Sequence, residues 1–252
     1  MQPVSGWAPV YTLRHIHSEG GDEVVVIGVV AALKEEIEPL VEAMDDVRAS
    51  KWGKLSLYEG VIGSCRVVAV GGGVGKVRAA ACTQHLIDEF APQAIICCGV
   101  AGAVNPELKI GDIVISKRAL QHDFELGDPD LAKKLRRRWL KTDPRLVGLA
   151  AEAGKDLGLE DRIHVGTVLT GDQAITSHEK RQRLWDTFGG DCVDMESAAV
   201  GQVCLLNDIP FVIVRAMSDF AAENSVAEFK RSFAQTAADA ARVVLATLER
   251  VR

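Results

Sequence analysis

A chain of 252 residues can form one α/β domain or two small ones, and its 48% hydrophobic content is ample for a sizeable core. A formal net charge of −6 argues against a nucleic-acid partner, which needs a basic face. The cysteines (Cys65, Cys82, Cys97, Cys98, Cys192 and Cys204) sit mostly in apolar runs without a CxxC pair, which points to buried thiols in a reducing, cytoplasmic setting and away from a disulfide frame or a zinc site.

Residues 1–22 hold Pro3, Pro9, three glycines and little periodicity, and read as an extension, partly disordered or lying over the surface, ahead of a domain over 23–252. Trp7 and Tyr11 are candidates to dock, and His15 and His17 are as readily solvated as functional. The start lacks the basic and apolar stretches of a signal peptide, and no apolar run reaches the length of a membrane span. Glu23 to Val30, EVVVIGVV, is the first strand, with Gly28 marking close approach of another backbone or a ligand. Ala31 to Met44 reads as a helix; Glu35, Glu36 and Glu38 cluster near its start, where the helix dipole favours negative charge, and only one of them is expected to point back over the strand end.

Leu55 to Val61 and Cys65 to Val70 resemble a hairpin turning at Ile62-Gly63-Ser64. The run Gly71-Gly72-Gly73-Val74-Gly75-Lys76 opens a helix to Phe90 but fails the P-loop pattern; it reads as a loop approaching a ligand or as a plain strand-to-helix turn. Ala94 to Cys98 is a buried strand, and the small residues from Gly99 to Ala103 form a second turn where backbone N–H groups can approach a sugar or an anion. Gly111 to Lys117 is another strand. His122-Asp123 is a catalytic pair or, with more weight, a structural pair holding a loop.

Leu131 to Leu140, LAKKLRRRWL, is most simply the wet face of a helix. Pro144 to Leu157 is an amphipathic helix, His164 to Leu169 a strand, Thr170 to Ile175 a loop, and Glu179 to Phe188 a helix. Cys192 to Asp194 ends a short strand, Glu196 to Asn207 has apolar residues at helical spacing, and Phe211 to Val214 is a strand covered on both faces. Asp194, Glu196 and Asp219 therefore fall where strands end and the next segments begin, the place where open α/β sheets gather ligands. As helix N-caps, Asp194 and Asp219 would need no ligand, but that leaves Arg215 and Glu196 beside them unexplained. A final helix runs over about Val226 to Arg250, and strands alternating with helices predict one α/β domain with a largely covered sheet.

The segments IGVVAALKEEIEPL, GGGVGKVRAA, CGVAGAVNPELKIGDIVIS, TGDQAITS, VDMESAAV and FVIVRAMSD together resemble the nucleoside phosphorylase and nucleosidase superfamily, closest to the 5′-methylthioadenosine/S-adenosylhomocysteine nucleosidases. The resemblance covers about Glu23 to Arg252. It implies a single-domain three-layer α/β/α sandwich around a twisted, mixed sheet, usually dimeric. It also implies hydrolysis of the N-glycosidic bond of an adenine nucleoside, with no cofactor and no metal. Glu36 takes the place of the family's water-activating glutamate, and Asp219 that of the acid that protonates the purine, beside Ser218. Met195 and Glu196 match the ribose-gripping pair, and Arg215 an arginine near that glutamate. Ala101 and Gly102 match the backbone turn under the sugar, Ile175 a residue whose backbone reads the adenine edge, and Phe229 an aromatic near the 5′ substituent.

The chemistry suits these residue types. Breaking the bond leaves an oxocarbenium-like sugar and a poor anionic leaving group, so a purine protonated at N7 leaves more easily. Asp219 must then hold a proton near neutral pH, which apolar surroundings favour, while Glu36 must be ionised. The chain departs from the family in two places: Ala174 stands where a phenylalanine usually stacks on adenine, and the basic run at Leu131 to Leu140 replaces an aromatic, glycine-rich loop that reaches the 5′ pocket across the dimer. A futalosine-like or lipid-linked adenosine is an alternative substrate. A phosphorylase or a non-catalytic nucleoside binder is an alternative class. The first would place arginines and a serine where this chain has Glu36 and Ala101; the second would not retain Glu36, Glu196 and Asp219 together.

Overall fold

The computed structural model describes residues 24–251 except 125, 126, 128, 129 and 131–138, so the expected extension over 1–22 and most of the basic run lie outside the described residues. In chain order the elements are β1 (Val26–Ala31), α1 (Lys34–Glu42), β2 (Asp45–Trp52), β3 (Leu55–Ile62), β4 (Cys65–Gly71), α2 (Lys76–Phe90), β5 (Ala94–Ala103), β6 (Ile113–Gln121), β7 (Leu140–Lys141), α3 (Pro144–Asp156), β8 (Ile163–Thr170), α4 (His178–Phe188), β9 (Cys192–Asp194), α5 (Ser197–Leu206), β10 (Phe211–Asp219) and α6 (Ser225–Leu248).

The strands form one mixed sheet in the order β10-β6-β8-β9-β5-β1-β4-β3-β2, with β7 on β6. Strand β10 also pairs in parallel with β5, so β5, β9, β8, β6 and β10 close into a ring from which β1, β4, β3 and β2 extend. The alternation of strand side chains divides the core between the two faces. Ile96, Cys98, Val212 and Val214 pack with Leu40 of α1, Leu146 of α3 and Val244 of α6. Their neighbours Ile95, Cys97, Phe211 and Ile213 pack with Leu86 of α2 and Val200 of α5 on the other face. Each of the large side chains among these, fully removed from water, stabilises the fold by roughly 1.5–3 kcal/mol. The result is the expected three-layer α/β/α sandwich. No helix among the described residues is long and apolar enough to cross a membrane.

The structure corrects the sequence reading in several places. The small residues after Cys98 are not a turn: β5 continues through Ala103, and β10 likewise continues past Val214 to Asp219 beside it. Strand β6 begins at Ile113 and runs to Gln121. Helix α1 begins at Lys34, three residues later than its apolar pattern predicts. Strand β2 has no counterpart in the sequence reading, because DDVRASKW is exposed along almost its whole length and shows no apolar alternation. Asp219 is not a helix cap, since the next helix starts at Ser225 with Asn224 as its N-cap.

Candidate active site

The ends of β1, β5, β9 and β10 and the loops that follow β4 and β8 surround a cavity of about 300 Å³. Glu36, Ala101, Gly102, Ile175, Met195, Glu196, Ser218, Asp219 and Phe229 all line it, so nine of the ten expected site residues meet at one place. The tenth, Arg215, does not reach the cavity surface. It is 1% exposed and stands behind the wall, beside Glu196. Leu33, Val74, Val100, Ala174, Ala221 and Val226 complete much of the apolar lining.

Glu36 occupies the third position of α1, and its carboxylate bends back over the helix start as in a capping box. Oε2 accepts the N–H groups of Ala32 at 3.0 Å and Leu33 at 2.8 Å, and Oε1 accepts that of Val100 at 3.0 Å. Glu35 and Glu38 are exposed, so one of the three glutamates does point inward. Burial pushes the pKa of Glu36 above the usual carboxylate range, against the opposing pull of Arg215 and of the three N–H donors.

Arg215 is the anchor beneath the acids. Its Nε lies 2.8 Å from Asp194 Oδ2 and donates to Ser197 Oγ at 2.9 Å, and its Nη2 lies 3.7 Å from Glu196 Oε2. Asp194 also accepts Thr170 Oγ1 at 2.6 Å and the Ser197 N–H at 3.2 Å, so it tethers the start of α5 and neutralises the arginine together. Glu196 turns its side chain to the cavity, where Oε1 accepts the Gly75 N–H at 2.9 Å. Burial and the neighbouring Asp194 push Glu196 up to about 7, although Arg215 and the Gly75 N–H favour its charged form. The close approach of β5 to this cluster depends on Gly99. A Cβ there would lie 2.2 Å from Arg215 Nη1 and 2.4 Å from Glu36 Oε1.

Asp219 ends β10 with both oxygens engaged. Oδ1 accepts the Ala221 N–H at 2.8 Å, and Oδ2 lies 2.9 Å from Ser218 Oγ, which is itself 3.3 Å from the Ala101 carbonyl. Ala221 holds its N–H there from a left-handed backbone, φ 50°, uncommon for a residue with a side chain. Burial raises the pKa of Asp219, and its two hydrogen-bond donors only partly offset that. The cavity thus joins three carboxyls that burial biases toward holding a proton: Asp219 beside two hydrogen-bond donors, Glu36 under three backbone N–H groups and a guanidinium, and Glu196 held by one backbone donor and the same guanidinium. Such a set can protonate a leaving group, take a proton from water, and grip hydroxyls.

Some of this surrounding was not legible as site residues: the N–H groups of Ala32, Leu33 and Val100, the Gly75 donor, and Ala221. Only the glycine-rich composition of the loop before α2 signalled a close approach, and Val74 on the cavity wall supports that reading over a plain turn. The lysine of that loop is engaged elsewhere: Lys76 Nζ meets Asp123 at 2.7 Å, which favours the structural reading of the His122-Asp123 pair.

A model of the phosphorylase superfamily matches residues 26–249. The 5′-methylthioadenosine/S-adenosylhomocysteine nucleosidase of Mycobacterium tuberculosis is 34% identical over 248 residues, covering 89% of this chain and 97% of that one. The aminodeoxyfutalosine nucleosidase of Campylobacter jejuni is 32% identical over 228 residues, covering 89% and 99%. The crystal structure of the 5′-methylthioadenosine/S-adenosylhomocysteine nucleosidase of Neisseria meningitidis in complex with methylthio-immucillin-A superposes with a TM-score of 0.83 at 31% identity, over 90% of this chain and 99% of that one. On fold, site and similarity alike, this chain belongs to the phosphorylase superfamily, with the 5′-methylthioadenosine/S-adenosylhomocysteine nucleosidases among its relatives.

Proposed function

We propose that this protein hydrolyses the N-glycosidic bond of an adenine nucleoside of the 5′-methylthioadenosine or S-adenosylhomocysteine type and releases adenine. Asp219 gives its proton to N7 of the base as the electrons of the N9–C1′ bond pass to the purine. Glu36 takes a proton from the water that adds to C1′. Glu196, with Met195 beside it, holds the ribose hydroxyls, and Arg215 steadies both glutamates from behind. Ser218 orients Asp219, Ala101 and Gly102 lie under the sugar, the Ile175 backbone meets the adenine edge, and Phe229 flanks the 5′ group.

The observation that carries this reading is the convergence of Glu36, Glu196 and Asp219 on one largely apolar cavity. The names of the similar nucleosidases support the same chemistry. A larger 5′ group, as in a futalosine-type nucleoside, is a second reading. The similarity to an aminodeoxyfutalosine nucleosidase favours it. The working form is a cytoplasmic homodimer. The exposed apolar side chains of Val74, Val77 and Phe124, 48%, 80% and 47% accessible, support an assembly that covers them.

One incubation series tests the proposal. 5′-Methylthioadenosine, S-adenosylhomocysteine, adenosine and inosine are each supplied with and without phosphate, and the products are identified. Free sugar at a rate indifferent to phosphate is expected, with adenine derivatives preferred over inosine. Accumulation of a sugar 1-phosphate would replace this reading with a phosphorylase. Sedimentation of the active protein tests the dimer.

A further inference from the structure

Two sequence features remain outside the mechanism: the lysine that ends the glycine-rich run and the aspartate of the His122-Asp123 pair. The structure joins them. Both oxygens of Asp123 meet Lys76 Nζ, at 2.7 and 2.9 Å, and Asp123 Oδ2 also accepts the Asp172 N–H at 2.9 Å. Asp172 Oδ1 in turn accepts the Lys76 N–H at 2.8 Å. Three residues from three separate segments therefore close a ring of charge-assisted hydrogen bonds. This is more than an exposed ion pair, which holds its partners only weakly. Lys76 and Asp123 side chains are each only 20% exposed, and the ring pins backbone as well as side chains.

What the ring pins bears on the site. The residue before Lys76 is Gly75, whose N–H meets Glu196 Oε1. Gly75 sits at φ +107°, a conformation other residues rarely adopt, and a Cβ there would come within 3.3 Å of Asp172 Oδ1. Asp172 in turn opens the loop whose residues Gln173, Ala174, Ile175 and Thr176 line the cavity. One carboxylate thus ties the donor on the sugar-gripping glutamate to the loop that walls the other part of the cavity.

We propose that Asp123 is a positioning residue for Glu196: through Lys76 and Asp172 it holds the Gly75 N–H on the carboxylate that receives the ribose hydroxyls. The assignment rests on the ribose-binding role proposed above for Glu196. Asp123 itself touches no reacting atom. Its effect passes through Glu196 and therefore depends on the substrate's hydroxyls.

The test compares Asp123→Asn, Asp123→Glu and Lys76→Met with the wild type in the full-length chain. 5′-Methylthioadenosine and its 2′,3′-dideoxy counterpart serve as substrates. A hydrogen bond to a charged group is worth roughly 10- to 100-fold. Asp123→Asn is expected to lower kcat/KM on 5′-methylthioadenosine by roughly that factor, mostly through KM, and to change the dideoxy substrate by less than about threefold. Asp123→Glu restores part of the loss. Lys76→Met, which leaves the Asp123 to Asp172 bond in place, gives a smaller loss with the same dependence on hydroxyls, so a poorly folding Asp123→Asn leaves the question answerable. Equal losses on both substrates, or no loss on either, would overturn the assignment. Calorimetric affinities for adenosine and 2′,3′-dideoxyadenosine yield the same comparison without turnover. If wild-type protein releases no adenine from 5′-methylthioadenosine, the proposed activity fails while this binding ratio still decides the role of Asp123.

Discussion

Replacing Asp219 by asparagine removes a transferable proton and little else. The amide oxygen can still accept the Ala221 N–H, now at 2.8 Å from Oδ1. The amide nitrogen takes the place of Oδ2, 2.9 Å from Ser218 Oγ, and the serine hydroxyl can turn to the Ala101 carbonyl, 3.3 Å away. Both tethers survive, so folding stability should move by no more than about 1 kcal/mol. General acid catalysis contributes roughly 10²- to 10⁴-fold, equivalent to about 3–5 kcal/mol of barrier. Asp219→Asn should therefore lower kcat by at least two orders of magnitude while adenine and substrate still bind. Adenine release in the steady state, adenine affinity and melting temperature measured on the same preparation separate these effects. Near-normal kcat on the true substrate would refute the mechanism, because the structure offers no helix start at Asp219 for a purely capping role.

Glu196→Gln should raise KM as well as lower kcat, since it damages sugar binding directly; a change in kcat alone would count against its role. The raised pKa of Glu196 has two consequences for pH dependence. The folded state keeps a proton that the unfolded chain releases near 4.5, so this group's contribution to stability is full below that pH and is lost as pH rises toward about 7. Sugar binding changes in the opposite sense and strengthens as Glu196 ionises. Melting temperatures and KM measured from pH 5 to 8 check the two, with Glu196→Gln as the control: the difference between it and wild type is the share of each slope that belongs to Glu196, since Glu36 and Asp219, also raised by burial, titrate in both proteins. Arg215→Met strands Asp194 and Glu196 in the interior and should cost about 3–5 kcal/mol, readable as a fall in melting temperature of roughly 10 °C; a variant as stable as wild type would show that the arginine is not their anchor. Gly99→Ala forces a methyl group onto Arg215 and Glu36 and should destabilise by about 1–3 kcal/mol with a loss of turnover, while a fully active, fully stable variant would show that this corner can give.

The sheet's buried strands were legible because their apolar, β-branched runs leave few other outcomes, and α6 because its alanine-rich pattern is long. Strand β2 was not, since its polar residues face water on both sides and its place is set by pairing with β3. The stretch after Cys98 reads locally as a loop because it is made of small residues. Gly99 is small because Glu36 and Arg215 occupy the space a side chain there would need, a tertiary fact that no local window contains. The candidate acids were visible as carboxylates out of place in apolar sequence, and their roles came through resemblance. What holds them was invisible, because the donors on Glu36 and Glu196 are backbone N–H groups, which every residue but proline carries. Arg215 stood out as a charge inside an apolar strand, but its side of the wall depends on how β9 and β10 bring it to Asp194 and Ser197.

The pairing of β10 with β5 bears on how the protein is made. Until Phe211–Asp219 has emerged during synthesis, β5 and β6 each lack a neighbour, and the ring stays open along edges that could recruit other chains. The contacts that close it join residues far apart in sequence, the kind that form slowly. The same strand brings Arg215 and Asp219. A nascent chain therefore passes through synthesis with Glu36 and Glu196 already translated but without the guanidinium that balances them, and the strand that closes the ring is the one that delivers it.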